Sequence, residues 1–84
     1  GDKIDNNLFN VYPNPTDGLL FLDLKEGHSY EYFQINDVFG QIILQKNISN
    51  NHQVQFDISN LVAGLYFIGL FSEDIKVVSK FIKQ

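Results

Sequence analysis

The chain has 84 residues, of which 44% are hydrophobic and 19% charged, so it is one small domain with no room for a second. That apolar content suffices for a core and excludes a disordered tail, although a core of this size buries only about 60–65% of the unfolded surface. There is no cysteine, so neither a disulfide nor a thiolate-bound zinc supplements the packing. The net charge is −4 and unevenly placed: residues 1–75 hold three Lys against ten Asp plus Glu, whereas residues 76–84 hold Lys76, Lys80 and Lys83 and no acid. An acidic chain without arginine lacks the basic stripe that nucleic acid requires.

In chain order, the polar opening Gly1 to Asn7 carries no secretory signal peptide. With no Met anywhere, the expectation is a piece cut from a longer protein, residues 1–7 being a linker remnant of its upstream part and 8–84 the domain. Leu8 to Tyr12 predicts a first strand stopped by Pro13. In Leu19 to Leu24, positions Leu20, Leu22 and Leu24 share one face and Leu19, Phe21 and Asp23 the other. Tyr30 to Asn36 sets Phe33 and Ile35 against Tyr32, Gln34 and Asn36. Gln41 to Lys46, after Gly40, predicts a hairpin partner.

His52 to Asp57 alternates as well, Val54 and Phe56 opposing Gln53, Gln55 and Asp57. Leu65 to Phe71 is apolar on both faces, which predicts a central strand covered on both sides. Ile75 to Ile82 fits either a helical stripe or a strand; its β-branched content favours the strand, with Val77, Ser79 and Phe81 inward. Turn residues recur every eight to twelve positions between these runs, the spacing of an all-β sandwich or barrel. The longest uncharged run, Ile58 to Ser72, falls short of the ~18–20 apolar residues that span a bilayer.

Residues for chemistry are scarce. There is no Gly-x-Ser-x-Gly elbow, and His28 and His52 lie beside the turn residues Gly27 and Asn51, in no motif that would pair either with a serine nucleophile. Glu26, His28 and Glu31 match no metal-ligand spacing, and no calcium loop or phosphate-binding glycine loop occurs. The expectation is no catalytic residue, no metal and no cofactor.

Three motifs with backbone mechanics remain. Pro13-Asn14-Pro15-Thr16-Asp17-Gly18 contains two residues of fixed φ followed by a turn pair. In Asp57-Ile58-Ser59-Asn60-Leu61-Val62-Ala63-Gly64-Leu65-Tyr66, the polar residues suit a tight bend, Leu61 suits a plug for the sandwich end, and Gly64 lets the backbone enter the next strand closely. In Lys76-Val77-Val78-Ser79-Lys80, strand geometry puts both lysines on one face with Val78 between them. Taken singly, these are an ordinary loop, a Greek-key corner and edge lysines that deter pairing with other chains.

In this order, with Asp37-Val38-Phe39-Gly40-Gln41 between the first two, they resemble the C-terminal sorting domain of the type IX secretion system (type A family). The resemblance runs from about Leu8 to Gln84; Val62 departs from it, since the family often has Pro before the Ala-Gly pair. It implies a small seven-stranded, Greek-key, antiparallel and immunoglobulin-like β-sandwich at the end of secreted cargo in Bacteroidota-type, Gram-negative bacteria. It also implies a non-catalytic signal, read in the periplasm by an outer-membrane translocon and its shuttle β-barrel. A surface sortase commonly removes the domain, leaving the cargo at the cell surface or secreted. The recognition positions it carries over are Pro13, Pro15, Gly18, Gly64, Tyr66, Lys76 and Lys80. The alternative is a carbohydrate-binding or adhesive module appended to a secreted hydrolase, with Tyr12, Tyr30 and Tyr32 as its aromatic platform.

Overall fold

In the computed structural model, which describes residues 9–24, 30–48, 53–73 and 76–84, there are seven strands: β1 Phe9–Tyr12, β2 Leu19–Leu24, β3 Tyr32–Asn36, β4 Ile42–Asn47, β5 Gln53–Asp57, β6 Gly64–Phe71 and β7 Lys76–Lys83. Period-two burial organises β1, β2, β3, β5 and β7. All pair antiparallel, in a three-stranded sheet of order β1-β2-β5 and a four-stranded sheet of order β4-β3-β6-β7. The chain changes sheet between β2 and β3, between β4 and β5, and between β5 and β6, which makes the two layers a Greek-key sandwich. The final run is the predicted strand. Its inner face holds Val77, Ser79 and Phe81, the last fully buried.

The inner faces meet in one core. Leu20, Leu22 and Leu24 of β2 and Phe56 of β5 pack against Phe33, Ile35, Ile68, Leu70 and Phe81 of the opposite sheet. Phe33 and Phe56 stack across the layers with centroids 4.6 Å apart. Each such side chain contributes roughly 1.5–3 kcal/mol by leaving water, the main stabilising term for a chain without disulfides. Leu61, beyond the end of β5, packs against the same cluster and closes one pole as expected.

Two expectations change. β6 is internal to its sheet but is not covered on both sides, because among the described residues no third layer lies outside it. Its outward aromatics are shielded by their own sheet: Phe71 lies parallel to Tyr32, centroids 4.9 Å apart, with its ring over the bare backbone of Gly69. Tyr30 precedes β3 rather than starting it and is buried, at 2% exposure, so it belongs to no surface platform. Burial also pushes its phenol pKa up, which keeps the ring neutral.

At the sheet margins, β4 is an exposed edge with a register shift against β3 between Ile35 and Asn36, an irregularity that discourages pairing with another chain. β7 is the other edge of the same sheet.

Candidate recognition surface

The segment Pro13 to Gly18 leaves β1 in one sheet and crosses to the edge of β7 in the other. The Tyr12–Pro13 and Asn14–Pro15 peptides are both cis. Thr16 forms a parallel bridge with Lys83: its N–H donates to the Ile82 carbonyl at 2.9 Å, and its carbonyl accepts from the Gln84 N–H at 2.8 Å. The Asn14 carboxamide acts as a surrogate peptide group on the same edge. Its Oδ1 accepts from the Ile82 N–H at 2.9 Å, and its Nδ2 donates to the Lys80 carbonyl at 3.3 Å. Thr16 is a buried polar residue whose hydroxyl is fully used, donating to the Leu19 carbonyl at 2.7 Å and accepting from the Gly18 N–H at 3.2 Å.

Gly18 ties this turn to the β5–β6 connection. Its carbonyl accepts from the Ile58 N–H at 2.7 Å, and a Cβ at this position would stand 3.1 Å from the Ser59 Cβ. A side chain there would push the two loops apart. Next to it, the Asp57 carboxylate accepts the Ser59 N–H at 2.8 Å. Hydrogen bonds from the Ser59 side chain and then its backbone hold the Asp57 pKa below the usual carboxylate value, because they favour the ionised form.

The same connection ends in Gly64 and Tyr66. Gly64 has φ 154°, a conformation that side-chain-bearing residues rarely adopt. Two residues on, the buried Tyr66 donates its hydroxyl to the Val62 carbonyl at 2.7 Å. A tyrosine near the start of a sandwich strand, bonded back to the backbone just upstream, is the tyrosine corner of immunoglobulin-like folds. Its ring stacks on Phe81 of β7, centroids 5.7 Å apart.

The β3–β4 turn completes the pole. Asp37 accepts the N–H groups of Phe39 and Gln41, both at 2.9 Å, and Gly40 turns the chain at φ 86°. Held this way, Val38 and Phe39 project outward, Phe39 at 86% exposure. Between them and Leu61 to Leu65 of the neighbouring loop lies an apolar groove of about 420 Å³.

The turn residues expected from sequence therefore converge on one pole, beside the end of β7. Pro13, Pro15 and Gly64 are exposed there, while Gly18 and Tyr66 are buried within it. The side chains of Lys76 and Lys80 stand apart from this cluster, exposed on the outer face of β7 with Val78 between them, although the Lys80 carbonyl meets Asn14. The Lys76 ammonium lies 5.5 Å from the centre of the Phe71 ring, a cation–π distance. Sequence reasoning missed Asn14 and Thr16 as the residues that clamp the terminal strand; they carry no pattern of their own beyond their place beside the prolines. It also gave no warning that Lys83 is buried, with its ammonium donating to the Gln84 carbonyl at 2.8 Å.

The proposed aromatic platform does not assemble. Tyr12 stacks on Phe21 on the outer face of the three-stranded sheet, Tyr32 lies on the outer face of the four-stranded sheet, and Tyr30 is in the core. His28, His52 and Glu26 lie outside the described residues. Among the described residues no group of three or more His, Cys, Asp or Glu could hold a metal ion, and no helix is long and apolar enough to cross a membrane. The family model described as the secretion system C-terminal sorting domain matches residues 10–84. No curated protein matches the chain at a significant level.

Proposed function

This chain belongs to the family of type IX secretion C-terminal sorting domains, and from that premise we propose that it is a folded, non-catalytic export signal read through its loop-built pole and the outer edge of β7. The domain follows its cargo through the linker at residues 1–7. An outer-membrane translocon accepts it in the periplasm, a shuttle β-barrel receives it, and a surface sortase cuts it away, leaving the cargo at the cell surface or secreted.

The observation that carries this reading is the convergence of Pro13, Pro15, Gly18, Asp37, Gly40 and Gly64 on one pole, where each sets backbone shape. A surface built from backbone geometry suits recognition of a folded shape. Placing Tyr12 and Tyr32 on opposite faces counts against a sugar platform, which needs its rings on one surface.

The test is a reporter with an N-terminal signal peptide fused ahead of residues 1–84, expressed in a bacterium that has the secretion system. The expected result is reporter at the cell surface or in the medium, and loss of export when the chain is shortened before Lys76. Retention of an intact, folded fusion in the periplasm overturns the reading.

A further inference from the structure

We propose that the outer edge of β7 between Lys76 and Lys80 is a strand-docking site, and that the strand it takes carries acidic side chains two places either side of an apolar one. This deepens the preceding reading and rests on it only for placing that partner in the export machinery.

The argument begins with the direction of backbone groups along β7. Successive residues of an antiparallel strand point their N–H and C=O alternately toward and away from the neighbour. Ile82 gives its N–H to Asn14 and its carbonyl to Thr16, the Gln84 N–H goes to Thr16, and the Lys80 carbonyl goes to Asn14. The even-numbered residues of β7 therefore point away from β6. By the same parity, the N–H and C=O of Lys76 and Val78 and the N–H of Lys80 point outward, and among the described residues no strand pairs with them.

The turn at Asn14 to Thr16 thus divides the edge. From the Lys80 carbonyl to Gln84 it is occupied by a surrogate strand, and from Lys76 to the Lys80 N–H it is open among the described residues. Strand addition exploits such a row of unpaired groups, main-chain bonds supplying affinity and alternate side chains specificity. The clamp supplies a stop, so an incoming strand has one register available instead of a sliding set.

Side chains define the partner. Those of Lys76, Val78 and Lys80 lie on the outer face, the two lysines about 13 Å apart at ~3.3 Å per residue. The outward positions of β3, β6 and β7 include these two lysines and no acid, within a chain of net charge −4. A strand laid along this edge sets its outer-face residues opposite Lys76, Val78 and Lys80, where opposite charges pair favourably and like charges repel. The complement is acid, apolar, acid at alternate positions. The lysines also repel a second copy of this edge, which separates deterrence of self-pairing from choice of partner.

The probe is a seven-residue peptide with serine at each end, three central valines, and a glutamate between the valines and each serine, titrated into isotope-labelled protein and followed by NMR. Three comparison peptides carry lysine in place of glutamate, N-methyl groups on alternate backbone amides, or two further valines at the clamp end. The glutamate peptide is expected to shift the amides of Lys76, Val78 and Lys80 and to slow hydrogen exchange at Val78. The lysine peptide should bind about tenfold more weakly, and the peptide methylated on the edge-facing amides should not bind. In the double variant K76E/K80E the preference should invert. In Asn14→Ala the protection given by the longer peptide should spread to Ile82.

Equal binding of both charge forms, shifts confined to the pole, or an unchanged preference in K76E/K80E overturns the proposal, and an unchanged footprint in Asn14→Ala removes the stop. The secretion reading is judged separately. A fusion that fails to export while its domain selects the acidic peptide refutes that reading and leaves the edge site standing; export without peptide selection does the reverse.

Discussion

Tyr66→Phe separates a residue that shapes the domain from one that its partner touches. The substitution keeps the ring, its buried position and its stack on Phe81, and removes only the hydroxyl that donates to the Val62 carbonyl at 2.7 Å. A hydrogen bond of this kind contributes about 0.5–1.5 kcal/mol net. Val62 is exposed, so water can take over its carbonyl and the orphaned-acceptor penalty is small. A loss of about 1 kcal/mol follows, which in a domain of this length lowers the melting temperature by roughly 4–8 °C. Tyr66→Ala removes the ring as well and costs about 3–5 kcal/mol, enough to unfold a marginal domain. The assay pairs urea and thermal denaturation of the isolated domain with export of the reporter fusion. If Tyr66 acts through shape, Tyr66→Phe exports at nearly the normal level at a temperature where it is folded. Full stability with abolished export makes the hydroxyl a contact for the partner and refutes the reasoning.

Gly18→Val adds a side chain where a Cβ alone would stand 3.1 Å from the Ser59 Cβ; a loss of about 1–3 kcal/mol is expected, read as a lower urea midpoint, and an unchanged midpoint shows that the loops separate freely. Asp57 has a folded pKa below its unfolded value of about 3.9, so the stability it contributes is complete above that value and is lost as pH falls through the folded pKa. Urea midpoints between pH 2 and 6 should therefore fall less steeply for Asp57→Asn than for the parent chain, and parallel curves contradict the assignment. Phe39→Ser alters a side chain at 86% exposure and should leave stability within about 0.5 kcal/mol; if the pole is read during export, the folded variant should still export less, and undiminished export removes Phe39 from the surface.

Much of the strand content is legible because alternation is a local property. Leu20, Leu22 and Leu24 against Phe21 and Asp23, or Val77, Ser79 and Phe81 against the lysines, reveal their inner faces without knowledge of any partner. Sheet membership is not local: nothing in Gln53–Asp57 announces that it returns to pair with β2 rather than with β4 just before it. The outer face of β6 misleads for a related reason, since Phe71 reads as core until Tyr32 and Gly69 are seen beside it. At the surface, the prolines and glycines are visible because their backbone effects are intrinsic. Asn14 is an ordinary turn residue until its carboxamide is found on an edge 66 and 68 residues away.

That difference bears on how the two halves of the proposed surface respond to change. At the pole, the bonds that shape the surface also close the sandwich: Gly18 to Ile58 and Thr16 to β7 join separate segments of backbone, and Tyr66 to Val62 fixes the bend that leads into β6. With no disulfide in reserve and a small core that buries only about 60–65% of the unfolded surface, a lesion there reduces stability and shape together. The side chains of Lys76 and Lys80 are exposed and outside that network, so neutralising them alters the edge while the core stays intact. Variants of the bonded pole residues Thr16, Gly18 and Tyr66 should therefore show export falling in step with stability, whereas edge variants, like Phe39→Ser on the exposed turn, should fall away from that line. Edge variants that remain on it would make the lysines structural rather than part of the signal.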